Sequence, residues 1–236
     1  MILKPCVVFA SGVACTGKSS TMKELSRKID NAFYLDRDDI NRGNLHVSLN
    51  ECPELTSFEK YVANDGLFPD SVRSVVTPFG EMINLDPTDN SGSNSDFYRR
   101  HVRDQSYLVQ TNIAKTNLDL GKVVLIDCIV ARQIQDGTLR KLLEQDAFQG
   151  YPKHLVHFIA DKEDCYQRVL ERAKTDPYAA RRLEVKRAVT RESFYKYVAE
   201  ESPMIPSKLK EYEHLKINSS ELNLEESVRR VIEYIS

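Results

Sequence analysis

The chain has no surplus of charge. Lys and Arg total 33 and Asp and Glu 35, a net charge of −2. A protein built to coat nucleic acid needs a basic balance, because phosphate neutralisation supplies most of that affinity. Any nucleic-acid contact here must therefore use a local patch. Cysteine is sparse and irregular: Cys6, Cys15, Cys52, Cys128 and Cys165 form no CxxC pair. An odd, widely spaced set argues against a disulfide framework and against a zinc site. Cys6, Cys128 and Cys165 lie in apolar runs and read as buried thiols, which fits a reducing, cytoplasmic setting. The five histidines show no ligand spacing, and His154 and His157 flank a strand as structural residues do. No apolar run approaches the ~18 residues of a membrane span. Cys6 to Ala10 is too short for a secretory core and runs straight into glycine and lysine. Internal repeats and heptads are missing too. What remains is an ordinary globular composition, 41% hydrophobic and 29% charged over 236 residues, sized for one domain with a sizeable core.

The pattern within that domain alternates strand and helix. "CVVFASG" (6–12), "AFYL" (32–35), "KVVLIDCIV" (122–130), "HLVHFIAD" (154–161) and "HLKIN" (214–218) are short β-rich runs. The third is continuously apolar, as strands covered on both faces are. Helices are expected from Ser19 (Met22, Leu25 and Ile29 in register), over 96–120 (Val102, Val109, Ile113 and Leu120 on one stripe, Gly121 as C-cap) and near 136–146. Two more should follow Asp161 and begin near Leu224. Five such units imply an α/β fold with a five-stranded parallel sheet covered on both faces, whose ligands bind beyond the carboxyl ends of the strands. Residues 43–95 do not fit the alternation. They hold four prolines and the tract "DPTDNSGSNSD", with short helices near 57–64 and 70–76. The segment reads as a substrate-binding insertion.

One motif carries chemistry. Gly12-Val13-Ala14-Cys15-Thr16-Gly17-Lys18-Ser19 fits G-x-x-x-x-G-K-[ST], with a strand before it and a helix after, and Ser20 extends the helix start. The glycines let backbone N–H groups converge on phosphate, and the helix adds its positive end. Lys18 would reach the β- and γ-phosphates, and the Ser19 hydroxyl would ligate Mg²⁺. "VVLID" ends in Asp127, placed to orient that metal, and Cys128 follows where motor ATPases carry a water-activating glutamate. No guanine-specific Asn-Lys-x-Asp occurs. "YLDRDDINRG" follows the second strand and offers Asp36, Asp38 and Asp39 as bases for an attacking hydroxyl, with Arg37 and Arg42 for an anionic group. Between 168 and 191 eight basic residues face three acidic ones. Arg168 and Arg172 lie four apart on one helical face, and Arg181 and Arg182 follow the turn "TDPYA". Arg99, Arg100 and Arg103 open the long helix and fit either a solvent-facing stripe or, through Arg103, an anchor for substrate.

These motifs resemble the P-loop kinases of the nucleoside-monophosphate-kinase-like group. "GVACTGKSS" followed by "RDD" is similar to the kinase domain of polynucleotide kinases, and "YLDRDDINRG" is similar to the leucine-Asp-x-Asp motif of adenylylsulfate kinases. Chloramphenicol phosphotransferases, gluconate kinases and zeta toxins share the plan. The resemblance implies a three-layer sandwich with strand order 2-3-1-4-5, ATP with Mg²⁺, and a closing lid over 168–191 whose Arg168 and Arg172 act on the phosphates. It implies Asp38 as general base and Asn218 to Ser220 as an adenine contact. The match departs at position 41, which is Asn where polynucleotide kinases carry Arg; Arg42 comes one later. The expectation is an ATP-dependent kinase acting on a hydroxyl of a small molecule. The alternatives are a polynucleotide 5′-hydroxyl kinase and a non-catalytic nucleotide-binding regulator.

Overall fold

The computed structural model describes residues 1–36, 74–76, 82–84, 104–129, 131–135, 137–175, 190–200 and 203–236. Strand β1 (Val7–Ser11) is buried along its whole length. Such a strand must be central, because only both-face coverage hides every side chain. Helix α1 (Lys18–Lys28) follows and buries Thr21, Met22 and Leu25, with Arg27 and Lys28 in its last turn to match the helix dipole. Strand β2 (Ala32–Asp36) comes next. Its entry is fastened by Asn31, whose Nδ2 donates to the carbonyls of Leu3 and Gly121 at 2.8 and 2.9 Å. A short antiparallel strand pair joins β3 (Ser74–Val76) to β4 (Met82–Asn84), and β3 stands where the last three residues of the helix expected over 70–76 fall; 70–73, like the helix expected over 57–64, lie outside the described residues. Val75 and Val76 are β-branched and favour the extended chain.

Helix α2 (Asp104–Asp119) falls within the expected span; residues 96–103 lie outside the described residues. Its buried stripe is Ser106, Tyr107, Gln110, Thr111, Ala114 and Leu118. The expected stripe of Val109, Ile113 and Leu120 is therefore not the buried one: Val109 and Ile113 are half-buried, and Leu120 is 70% exposed beside Gly121, whose φ is 78°. Strand β5 (Val123–Ile129) follows. The helix expected over 136–146 is α4 (Thr138–Leu143), and a further short helix, α3 (Ala131–Gln135), precedes that span. Gly137, with φ 81° and ψ 7°, is left-handed and opens α4 as its N-cap. Strand β6 (Lys153–Ile159), α5 (Lys162–Thr175), α6 (Arg191–Glu200), β7 (Leu215–Asn218) and α7 (Leu224–Ile235) complete the described chain. Asn223 caps α7 by accepting from Glu226 N at 2.9 Å.

The strands line up as β2-β5-β1-β6-β7. All pairings are parallel. Counting only the sheet's own strands, the order is 2-3-1-4-5. One face packs Val7, Phe9, Leu35, Val124, Ile126 and Leu155 against α2, α3 and α4. The other packs Val8, Ala10, Leu125, Val156 and Phe158 against α1 and α7. A third, smaller cluster joins Ala160 and Cys165 to Phe194 and Val198, so α5 and α6 have a core of their own. No helix among the described residues is long and apolar enough to cross a membrane.

Candidate active site

The loop between β1 and α1 is curled by three left-handed or mirror-region residues: Gly12 (φ 136°), Cys15 (φ 64°) and Gly17 (φ 87°). Thr16 closes it from inside, its buried hydroxyl donating to Val13 O at 2.9 Å. Val13 points into the core, while Ala14, Ser19 and Ser20 are exposed. Lys18 folds back over the loop, and its Nζ donates to Gly12 O at 2.9 Å and Val13 O at 2.7 Å. Helix α1 has no side-chain cap and no acidic residue in its first turn. Its first N–H groups and its positive end therefore face the loop, a setting made for an anion.

Two loops are clasped over this turn by one arginine. Arg168 Nη1 donates to Cys15 O at 3.2 Å and to Ser219 Oγ at 2.7 Å, and Nη2 donates to Ser219 O at 2.9 Å. The contact is close: a Cβ on Gly17 would lie 3.3 Å from that of Ser219. Asn218 is engaged locally, its Oδ1 accepting from Ser220 N at 3.2 Å. Burial pushes the Cys15 thiol up, against the pull of Arg172, Lys18 and Arg168 in that order. Three cations thus surround the turn.

On the β2 side the sheet edge is acidic. Asp36 and Asp127 stand opposite each other in register. The Tyr34 hydroxyl lies 3.2 Å from Asp36 Oδ2 and 3.2 Å from Asp127 Oδ2. Burial, then Asp127, then Asp36 push this phenol far above its ordinary range, so it keeps its proton. It has one hydrogen for two carboxylates, and the other carboxylate gets none from it. Sequence reading missed Tyr34. The available signal was its spacing two residues before Asp36, which places both on one strand face. Among the described residues no group of three His, Cys, Asp or Glu side chains fits a resident metal. One or two carboxylates beside a phosphate loop do suit Mg²⁺, which binds through few carboxylates plus the phosphates of its substrate.

Beneath the loop a buried polar chain spans two strands. Ser11 and His157 are paired across β1 and β6. His157 Nε2 lies 2.9 Å from Met204 O, and Nδ1 lies 2.8 Å from Ser11 Oγ. A carbonyl only accepts, so Nε2 carries the hydrogen and Nδ1 accepts from the serine. Burial, with smaller pushes from His214, Lys18 and Lys216, brings His157 down to about 4, against a weaker upward pull from Met204 O. In the unfolded chain the value is near 6.5. The native state therefore binds fewer protons between pH 6.5 and 4. This stabilisation is present above pH 6.5 and is lost as pH falls toward 4, by about 3 kcal/mol at most. Urea unfolding of the protein and of His157→Gln across this window checks it. The wild type should lose stability with a steeper slope; parallel slopes would refute the assignment.

Asp38, Asp39, Arg37, Arg42, Arg99, Arg100, Arg103, Arg181 and Arg182 lie outside the described residues. Of the 168–191 segment, Arg168 and Arg172 stand on α5 and Arg191 opens α6.

No protein-family model matches the chain, and no curated protein sequence does. Solved structures do. One, from Chloroflexus aurantiacus J-10-fl and provisionally termed a kinase, superposes with a TM-score of 0.55 at 12% identity, covering 99% of this chain and 100% of that one. A gluconokinase from Sinorhizobium meliloti 1021 gives 0.52 at 12%, covering 98% and 91%. The chain has the fold of the P-loop kinases. An APS kinase from Mycobacterium tuberculosis, solved with AMPPNP and APS, gives 0.49 at 16%, covering 98% and 96%. In this P-loop kinase fold the turn at Gly12–Ser19 and the edge at Asp36 and Asp127 occupy neighbouring strand ends, on β1, β2 and β5.

Proposed function

We propose that the chain is a kinase that transfers the γ-phosphoryl group of ATP to a hydroxyl of a small molecule. The observation that carries this reading is the acidic edge: Asp36 and Asp127 paired in register beside an uncapped phosphate loop. A loop alone supports nucleotide binding. Carboxylates on the adjacent strand end add a place for a second substrate, and the residue after Asp127 is Cys128, which does not activate water.

The turn binds the phosphates through backbone N–H groups and Lys18. Ser19 and Asp127 would hold Mg²⁺, which when bound neutralises charge shared by the β- and γ-phosphates. Asp38, two residues beyond β2, accepts the proton of the attacking hydroxyl. Its oxygen forms the new bond to the γ-phosphorus as the bond to the β-phosphate oxygen breaks, and ADP leaves. Arg168 keeps the turn and the 218–220 loop together. Arg172, one turn on, neutralises developing charge. Phe194 and Val198 of α6 pack on Cys165 of α5 and support the helix that carries both arginines.

An ATP-consumption screen over sugars, sugar acids, nucleosides, aminoglycosides and oligonucleotides tests the proposal. ADP release should depend on one small-molecule class and should vanish in Asp38→Asn. The gluconokinase among the similar structures is the reason sugar acids join the panel. Release with oligonucleotides alone would move the acceptor to nucleic acid, and no acceptor dependence in any arm would sink the reading.

A further inference from the structure

Gln110 has a buried amide nitrogen, Nε2, with no hydrogen-bond partner. The residue is 2% exposed. Folded proteins rarely leave a buried donor unpaired, because its lost hydration is not returned. Such a group in the free protein is explained when a ligand completes it.

Its height in the fold places it at one end of the sheet, on the face opposite to that of Tyr34. A three-residue link joins α2 to β5, so the two run antiparallel. Gln110 precedes the helix end by nine residues, about 13 Å at the helical rise. Asp127 follows the strand start by four residues, about 13 Å at the strand rise. Gln110 therefore stands level with the carboxyl edge of the sheet. Tyr107 and Ala114, three and four residues away on the same stripe, pack with Leu35, Val124 and Ile126. This is the β2–β5 half of the sheet, away from the β6–β7 half that Arg168 clasps to the phosphate loop. Ser106, one turn up, and Gln133, on the helix just after β5, are also buried and polar. Lower on the same helix the buried stripe turns apolar at Ala114 and Leu118.

We propose that Gln110 is a specificity residue for the phosphoryl acceptor, its Nε2 donating to an uncharged oxygen of that molecule. The inference rests on the phosphoryl-transfer reading above for the identity of the ligand as acceptor. An amide N–H is a donor without charge. It matches a hydroxyl or carbonyl oxygen, whereas a buried anion takes several N–H donors together with a cation, as the phosphate turn provides with Lys18. The ligand class is therefore a neutral polyhydroxylated compound: a sugar, a polyol or a nucleoside. A site built around such a donor discriminates strongly against analogues lacking the matching oxygen.

The test is Gln110→Met, of similar length and apolar. Thermal melting is followed for both proteins, alone, with ATP, and with a panel of neutral sugars, polyols and nucleosides and their deoxy analogues. The variant should melt at or above the wild-type temperature, since an unpaired donor is removed, and should keep its response to ATP. It should lose the response to the panel member that stabilises the wild type. Where that member is phosphorylated, its KM should rise about tenfold or more with the KM for ATP unchanged. If the member binds, the variant loses it, and no ADP forms, Gln110 stands as a ligand group and the kinase reading fails. A variant that melts lower and binds the panel as before, or a wild type that responds to no neutral member, overturns the inference.

Discussion

Lys18→Ala should lower kcat for phosphoryl transfer by about 10³-fold, or about 4 kcal/mol of transition-state stabilisation. The expectation follows from where the ammonium is now and where it must go. In the free protein Nζ is held by the carbonyls of Gly12 and Val13. These bonds exchange for phosphate oxygens when a nucleotide enters the turn, and charge-assisted bonds to phosphate are the stronger set. Negative charge is redistributed over the β- and γ-oxygens as the phosphoryl group transfers, so the loss falls on kcat more than on the KM for ATP. Val13 O keeps the Thr16 hydroxyl as a donor in the variant, so only Gly12 O loses its partner and the melting temperature should fall modestly. Lys18→Arg should recover only part of the rate, because a planar fork does not replace a point charge inside a curled turn. Coupled measurement of ADP release with the acceptor found by screening reads both variants. A loss below about tenfold for Lys18→Ala would remove the turn from the chemistry.

Much of the fold was legible because its signals are local. β1 is apolar up to Ser11, and β5 is interrupted only by Asp127, and no amphipathic alternative fits such runs. The G-x-x-x-x-G-K-S spacing carried its own context of strand and helix. What failed also has local causes. Gly137 is left-handed and caps α4, so that helix starts at Thr138 and ends at Leu143, inside the wider span expected for it. Val75 and Val76 suit a hairpin strand better than the helical turn that 70–76 suggested. Leu120 matched a 3.6-residue stripe by spacing alone, and the buried stripe of Tyr107, Gln110, Ala114 and Leu118 runs along another face of the helix.

The site was legible in its phosphate half and much less so elsewhere. Tyr34 acquires meaning only from the register that sets Asp36 opposite Asp127, and register is a property of two strands about 90 residues apart in sequence. The pair of Ser11 and His157 joins residues 146 apart, and neither lies in a motif. The resemblance to P-loop kinases implies a lid role for Arg168; its bonds to Cys15 and Ser219 join residues far apart in sequence, which no spacing reveals. Gln110 looked like one polar residue among many on a long helix. Only its buried, unpaired Nε2 sets it apart.

Gly12→Ala should destabilise the protein by about 4 kcal/mol, enough to lower the melting temperature by roughly 10 °C for a chain this size. Two effects combine. Gly12 has φ 136°, a region that L residues rarely enter, which costs about 1–3 kcal/mol. An added Cβ would also lie 2.3 Å from Phe158 O. That oxygen cannot step aside, because it belongs to β6, which is paired to β1 on one side and β7 on the other. Relief has to come from the turn itself, and the nearest side chain is Thr16, whose Oγ1 would sit 3.1 Å from the new carbon. Moving Thr16 breaks its bond to Val13 O and opens the curl that positions Lys18. ATP binding should therefore weaken along with stability. Gly121→Ala separates the two effects, since φ there is 78° and nothing lies within 4 Å. It should cost only about 1–2 kcal/mol, the backbone part alone. Denaturant midpoints of the two variants measure the difference, and equal losses would mean that the approach of the turn to β6 is looser than the structure has it.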